Sequence, residues 1–251
     1  MPRGTAGSRR ADCQEGNVAA PPPPASSPRL FALAALERLA GEPFPHPKGR
    51  VLLEEGRSFD KLLLVEAGWL TGSVALGDGR RAMPRLFLPG DVVGLADLAL
   101  GRVSLTVRSA EAGAVRWIPR ASLLEGVRRS SQLLEGLFVL ATQEQQATMR
   151  LLRAVTRMSA AERLAFLLYD LRLRLLAIDP GLGANLRLPL SHADLADHLG
   201  LTPVYLSRIL TILVRRGIVT KTRGGVVIRD EAALEALGGI HGGRFGPRED
   251  E

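Results

Sequence analysis

Residues 191–217, SHADLADHLGLTPVYLSRILTILVRRG, carry the most specific pattern in this sequence. Ser191 lies three residues before Asp194, and this spacing is typical of the cap at the start of a helix. Gly200 then allows a sharp turn, because glycine adopts a left-handed conformation at little cost. Thr202 is a good N-cap for a second helix. Two short helices joined by a tight turn predict a helix-turn-helix.

The apolar residues of this stretch support the same motif. Small Ala196 lets two helices cross closely, and Leu201 is placed to fill the turn. The other apolar positions recur at helical spacing and predict the buried faces of the two helices. They are Leu195, Leu199, Leu206, Ile209, Leu210 and Leu213. An ordinary helical hairpin is the alternative interpretation.

The charge around the motif indicates a nucleic-acid partner. From Leu201 to Arg229 there are six basic residues and no acidic residue, whereas a solvated helix face normally mixes both signs. Ile218–Thr222 and Val226–Arg229 flank a Gly-Gly pair, a pattern that predicts a two-stranded wing. The sequence therefore predicts a winged helix-turn-helix that binds double-stranded DNA.

The second helix, residues 203–214, is the predicted recognition helix. Arg208 on its outward face can pair with guanine, and Ser207 can contact a phosphate or a base. Lys221 lies on the wing, where it would meet phosphates. The complete predicted DNA-binding set is Thr202, Pro203, Val204, Tyr205, Ser207, Arg208, Thr211, Lys221 and Arg223.

A long amphipathic helix is predicted upstream of this domain. Residues 133–158 follow a strict 4-3-4-3 spacing, which is the heptad pattern of a coiled-coil seam. We expect a homodimer whose interface is formed by Leu133, Leu137, Leu140, Glu144, Ala147, Leu151, Ala154 and Met158. A parallel stripe beside it contains Leu134, Phe138, Ala141, Gln145, Thr148, Leu152 and Val155. The alternative is a long helix that packs entirely on its own domain.

Residues 46–118 are predicted to form strands. Short apolar runs separated by glycines about every ten residues are typical of a barrel or jelly roll. The predicted strands are Val51–Leu53, Leu62–Val65, Trp69–Leu76, Leu86–Leu88, Val103–Val107 and Ala114–Ile118. A helix is predicted before them, within residues 29–45, and Pro43 and Pro45 are expected to end it.

Together these segments predict an α+β fold. It comprises an N-terminal β-roll effector domain (a double-stranded β-helix or jelly roll), a long dimerisation helix and a C-terminal winged helix-turn-helix domain. The predicted boundaries are a disordered tail at 1–28, the roll at 29–128, the dimerisation helix at 129–158, the DNA-binding domain at 159–237 and a flexible tail at 238–251.

Composition narrows the function classes. The 251 residues carry a net charge of +7, and a strongly basic chain favours a polyanionic partner. The single cysteine, Cys13, excludes a disulfide framework and a cysteine-ligated iron–sulfur cluster within one chain. No apolar run reaches the ~18 residues of a membrane span. The N-terminus lacks the apolar core of a signal peptide, so we expect a cytoplasmic protein. No nucleophile elbow, Walker loop or dinucleotide fingerprint is present, so no enzyme is predicted.

The order of these segments resembles the Crp/Fnr superfamily of bacterial transcription regulators. The resemblance covers residues 29–237, and its local marks are GRVLLEEGRSFDKLLLVEAGWL at 49–70, DGRR at 78–81, LPGDVVG at 88–94 and DLADHLGLTPVYLSRIL at 194–210. It implies a cyclic-nucleotide-binding-like roll and a homodimer that reads two half-sites of a near-palindrome. It also implies an activator that contacts RNA polymerase.

The effector pocket departs from the pattern of the nucleotide-binding members. The positions that the resemblance implies are Gly94, Leu95, Arg102, Val103, Ser104 and Thr148. Those members place a Glu where this chain has Leu95 and an Arg where it has Val103. Neither side chain offers an acceptor to a ribose or a cation to a cyclic phosphate, so we expect no dependence on cyclic AMP. Arg102 would face the other side of its strand, unless a bulge near Gly101 turns it inward.

The recognition helix departs as well. Many members carry a Glu where this chain has Val204, and that Glu accepts a hydrogen bond from cytosine. The usual half-site sequence is therefore not assumed for this protein.

Two alternatives and the identity of the effector stay open at this point. One alternative is a gas-sensing regulator in which His46 ligates haem; the other is a sensor module whose helical end binds protein rather than DNA. No cofactor is identified from the sequence. No metal site is predicted, since His192 and His198 lie six residues apart around a short helix.

Overall fold

The computed structural model describes residues 28–241 and 244–245, so the predicted tail at 1–28 lies, apart from its last residue, outside the described residues. The first half of the described chain is mostly strands. Its elements are α1 (Pro28–Leu39), β1 (Phe44–His46), β2 (Val51–Leu53), β3 (Lys61–Ala67), β4 (Leu70–Ala75), β5 (Arg81–Phe87), β6 (Val92–Val93), α2 (Leu95–Leu100), β7 (Thr106–Ser109), β8 (Gly113–Pro119) and α3 (Arg120–Arg129).

The second half is mostly helical. Its elements are α4 (Ser131–Arg157), α5 (Ala160–Ile178), β9 (Asn185–Arg187), α6 (His192–Leu199), α7 (Pro203–Arg215), β10 (Val219–Thr222), β11 (Gly225–Ile228), α8 (Glu231–Gly238), β12 (Ile240–His241) and β13 (Arg244–Phe245). Among the described residues, no helix combines the length and apolarity that a membrane span requires.

The predicted β-roll is confirmed as two antiparallel four-stranded sheets. One has the strand order β1-β8-β3-β6 and the other β2-β7-β4-β5. Each of the six predicted strands overlaps a strand of the roll. The roll's core lies between the sheets and includes Leu62, Leu63, Leu70, Phe87 and Ile118. β3 is buried at four consecutive residues, Leu62–Val65, so both of its faces are covered.

Two local predictions about the roll were wrong. α1 ends at Leu39, and residues 44–46 form an edge strand on β8, where Pro45 is tolerated because the outer side of an edge strand needs no N–H donor. Residues 95–100 form a helix inside the predicted strand region. Gly94 caps this helix at φ 94°, and a Cβ there would lie 2.4 Å from the Phe59 ring. Only glycine fits that turn.

The C-terminal domain packs α5 to α8 around a three-stranded sheet of order β10-β11-β9. β9 is the third strand of this sheet and pairs with β11 in antiparallel register. Residues beyond 237, predicted as a flexible tail, include the end of α8 and the pair β12–β13, and the rest of that tail lies outside the described residues.

The long helix α4 forms as predicted, but three of the eight residues predicted for its dimer interface are buried within their own chain. Leu133 and Leu140 are buried in the core of the roll, and Ala154 is buried in the core of the C-terminal domain. The remaining predicted interface residues are half-buried on the same inner face: Leu137, Glu144, Ala147, Leu151 and Met158. This stripe contacts its own chain because the roll and the C-terminal domain both need an apolar partner, and α4 lies between them.

The second stripe of α4 is the one left uncovered. All seven of its residues are exposed: Leu134, Phe138, Ala141, Gln145, Thr148, Leu152 and Val155. Phe138 has 74% of its surface accessible, an unusual state for a large apolar residue. Exposed Met149 lies beside the stripe. The outer face of α4 is thus an apolar strip with the spacing of a coiled-coil seam.

Candidate nucleic-acid interface

The helix-turn-helix forms with the caps that its sequence predicts. At the start of α6, the Ser191 hydroxyl accepts from the Asp194 amide at 3.0 Å and the Asp194 carboxylate accepts from the Ser191 amide at 3.1 Å. Gly200 ends α6 in the left-handed region at φ 65°. Thr202 then caps α7 by accepting from the Tyr205 amide at 3.3 Å. These local features define where α6 begins and ends and where α7 begins.

The exposed face of α7 brings together most of the predicted DNA-binding residues. Leu206, Ile209 and Leu213 are buried on its inner face, so the opposite face points to solvent. The exposed predicted residues are Thr202, Pro203, Val204, Tyr205, Arg208 and Thr211, while Ser207 is half-buried at the edge. The Thr211 hydroxyl donates to the Ser207 carbonyl at 2.9 Å, which occupies its proton within the helix.

The wing lies next to this face. β10 and β11 pair in register with Lys221 opposite Val226, and both Lys221 and Arg223 are exposed at the hairpin end. Gly225 is required there, because a Cβ would lie 2.1 Å from the Leu186 carbonyl oxygen of β9.

Three cations of this surface have no acidic partner. None of the ion pairs found in the described part of the chain involves Arg208, Lys221 or Arg223. Their charge is therefore available to phosphates or to base edges. An exposed helix and a wing that carry uncompensated positive charge match the geometry of a major-groove reader.

The predicted effector residues do not come together. Arg102 is exposed, and its guanidinium donates to the Gly56 carbonyl at 3.3 Å, so no bulge turns it inward. Val103 is buried, and Ser104 is exposed. Among the six predicted positions, Leu95 alone lines the large cavity of about 770 Å³ that opens between the roll, α4 and α5.

An internal ion pair that the sequence did not predict lies in that cavity. Arg85 of β5 contacts Glu144 of α4 at 2.9 Å, with side chains only 17% and 30% exposed. Burial raises the pKa of Glu144, although the charge of Arg85 favours its ionised form. The Arg85 guanidinium also lies 3.5 Å from the Thr148 hydroxyl. The cavity thus holds a paired acid and base from this chain, separated by 59 residues in the sequence.

His46, the candidate haem ligand, is a buried residue of β1 that pairs with Gly113. Neither ring nitrogen has a hydrogen-bond partner in the part of the chain that the structure describes. His46 lines neither of the two cavities described for this chain. The described residues contain no cluster of three metal-ligating side chains.

Comparison with known protein families gives two matches. Residues 162–237 match the Crp-like helix-turn-helix domain, and residues 44–130 match the cyclic nucleotide-binding domain. The first match covers the winged helix-turn-helix just described, and the second covers the roll.

Individual proteins that are similar in sequence to this chain are transcription and nitrogen fixation regulators by name. The nitrogen fixation regulation protein FixK of Rhizobium meliloti is 31% identical over 79% of this chain and 82% of its own length. FixK of Bradyrhizobium diazoefficiens is 35% identical over 64% of this chain and 67% of its own. The transcriptional activator protein FnrA of Stutzerimonas stutzeri is 27% identical over 92% of this chain and 94% of its own.

Among solved structures, FixK2 from Bradyrhizobium japonicum superposes with a TM-score of 0.72. It is 27% identical in sequence, and the superposition covers 79% of this chain and 96% of that one.

Proposed function

Because this chain belongs to the Crp/Fnr family of transcription regulators, we propose that it is a homodimeric activator that binds a near-palindromic operator. The observation that carries the proposal is the exposed face of α7 with the wing beside it, where Arg208, Lys221 and Arg223 have no acidic partner among the residues that the structure describes. Related proteins named as transcriptional activators support the direction of regulation. We propose that this chain also contacts RNA polymerase. As a DNA-binding regulator it acts in the cytoplasm.

The recognition helix reads bases while the wing holds phosphates. Arg208 can donate two hydrogen bonds to guanine in the major groove, and exposed Val204 and Tyr205 can contact a thymine methyl. Val204 accepts no hydrogen bond, so this position does not select cytosine.

The experiment that tests the proposed function is selection of bound duplexes from a random pool, followed by titration of the selected duplex at increasing salt. Affinity should fall steeply, since each phosphate contact adds about −0.9 to the salt slope. A protein-binding module would show no such DNA affinity.

The dimer is proposed to form through the outer stripe of α4. A second copy of the same helix offers an identical strip, so the two stripes are self-complementary about a two-fold axis. Phe138 and Leu152 would be covered by their counterparts, which removes a long apolar surface from water. A two-fold dimer also presents two recognition helices, as a near-palindrome requires.

Lys221→Ala is expected to weaken binding to all DNA sequences about equally, because a wing lysine contacts phosphate rather than a base edge. The salt slope should fall by about one for each half-site. Fluorescence anisotropy with the selected duplex and a scrambled duplex measures both effects. Lys48→Ala, at an exposed lysine of the roll, is the matched control and should change nothing. A loss confined to the selected duplex would place Lys221 on a base instead.

We further propose that regulation does not use a cyclic nucleotide. Leu95 and Val103 offer no partner to a ribose or a cyclic phosphate, and each polar group left unpaired on burial costs ~1–3 kcal/mol. Arg85 is already paired with Glu144, so it is not free for a phosphate.

Calorimetry with cyclic AMP and cyclic GMP is expected to give no binding heat, and neither nucleotide should raise the affinity for the selected duplex. A ligand shifts a protein only by its differential affinity for two states, so a ligand that does not bind shifts nothing. Micromolar binding of either nucleotide, abolished by Arg85→Ala, would contradict this expectation.

A further inference from the structure

The outer edge of β5 lies against the DNA-binding domain. β5 is the last strand of its sheet, so the carbonyl groups on its free side need partners from elsewhere. Nδ1 of His198 in α6 lies 2.8 Å from the Met83 carbonyl oxygen. Burial lowers the pKa of His198 to about 4, so the ring is neutral and Nδ1 carries the proton that it donates. Arg174 of α5 donates to the Leu86 carbonyl at 3.2 Å.

Arg81, at the start of β5, binds both acidic residues of α6. Its guanidinium lies 2.6 Å from the Asp194 carboxylate and 2.7 Å from that of Asp197, and its Nε donates to Asp197 at 2.9 Å. Burial alone would raise the pKa of Asp194, but hydrogen bonds from Ser191 and Arg81 hold it below the ordinary value. A residue of the roll thus completes the cap of the first helix of the motif.

An apolar contact surrounds these bonds. Trp69, Met83 and Leu86 of the roll are buried in the same core as Leu195 and Leu199 of α6. The arrangement of the two domains is therefore held by packing as well as by charge. Arg81 and its two acidic partners are about one-third exposed, which places them at the rim of the contact.

The contact leaves the DNA-binding face free. Asp194, Asp197 and His198 lie on α6, whereas the exposed residues of α7 and the wing take no part in it. Its effect is therefore to orient α7 rather than to compete with DNA. The first helix of such a motif crosses the DNA backbone, so the charge of Arg81 also offsets two carboxylates that would repel phosphates.

We propose that Arg81 of the roll is a positioning residue for DNA recognition: it anchors α6 and neutralises Asp194 and Asp197. The proposal rests on the DNA-binding function given above. Arg81→Ala is expected to lower the affinity for the selected duplex about tenfold, within the ~5–150-fold typical of coupling between sites. Arg81→Lys keeps the positive charge but loses the planar guanidinium that can bond to two carboxylates at once. It should therefore bind the selected duplex more tightly than Arg81→Ala and less tightly than the native chain.

The test compares Arg81→Ala, Arg81→Lys and Arg80→Ala. Arg80 is the adjacent arginine, is exposed and pairs with Asp78 in the hairpin turn, so it is the matched control and should behave as the native chain does. Hydrogen exchange without DNA should be faster in α6 of Arg81→Ala and unchanged in the roll and in Arg80→Ala.

The two possible failures are distinguishable. If the native chain binds no duplex, the proposed function fails, while α6 exchange still decides whether Arg81 anchors the motif. If the native chain binds and Arg81→Ala binds equally well, this inference alone is overturned. Unchanged exchange in α6 of Arg81→Ala also overturns it. Equal losses in Arg81→Ala and Arg80→Ala would attribute the effect to net charge, which contradicts an anchoring role.

Discussion

Phe138→Asp is expected to convert the protein from a dimer to a monomer and to remove most of its operator affinity. Phe138 is the second of the seven residues in the outer stripe of α4 and has 74% of its surface exposed, so the substitution leaves the fold of one chain intact. In the proposed dimer it would place two unpaired carboxylates in an apolar seam, at a cost of several kcal/mol. A monomer contacts one half-site and loses the ~10²–10⁴-fold gain from linking two binding domains.

Sedimentation velocity measures the oligomeric state, and titration of the selected duplex measures the affinity. Gln132→Asp introduces the same charge at an exposed position of α4 that lies outside the stripe and lines neither cavity, so it should remain dimeric. An intact dimer for Phe138→Asp would place the interface elsewhere. Leu151 is not a suitable probe, because it lines the internal cavity and its loss would disturb the packing of one chain.

Arg208→Ala is expected to abolish discrimination between the selected operator and other DNA while the protein stays dimeric. Arg208 is exposed on α7 and takes part in none of the ion pairs found among the described residues, so the effect falls on recognition. Loss of a bidentate guanine contact costs ~1–3 kcal/mol of binding free energy in each half-site, hence roughly 2–6 kcal/mol over the two half-sites of the operator.

Competition between the selected duplex and a scrambled duplex at constant salt measures this ratio. Lys221→Ala is the contrasting variant, since it should lower both affinities and keep their ratio. A native ratio for Arg208→Ala would show that other residues of α7 read the bases.

Local features of the fold were predictable from the sequence. The caps at Ser191 and Thr202 involve residues within three positions of each other, and Gly200 meets a backbone requirement of its own turn. The heptad spacing of α4 is likewise a property of one helix. Such features are determined by neighbours in the chain, so residue type and spacing suffice to identify them.

The helix α2 escaped prediction because its apolar sequence, LADLAL, is too short to show a helical period. Its first turn begins after Gly94, where the Phe59 ring leaves no room for a Cβ, and these two residues are 35 positions apart in the sequence. The pair Arg85–Glu144 and the anchor Arg81–Asp197 are similarly distant, and no spacing rule connects them.

Residue type and spacing are enough to predict a β-roll, a long two-striped helix and a winged helix-turn-helix with a basic recognition face. Which stripe of α4 faces the chain's own domains, and which stays exposed, depends on tertiary packing. Both stripes have the same period and similar apolarity, so the helix alone does not distinguish them. The choice depends on where the roll and the C-terminal domain bury Leu133 and Ala154, and that packing is non-local.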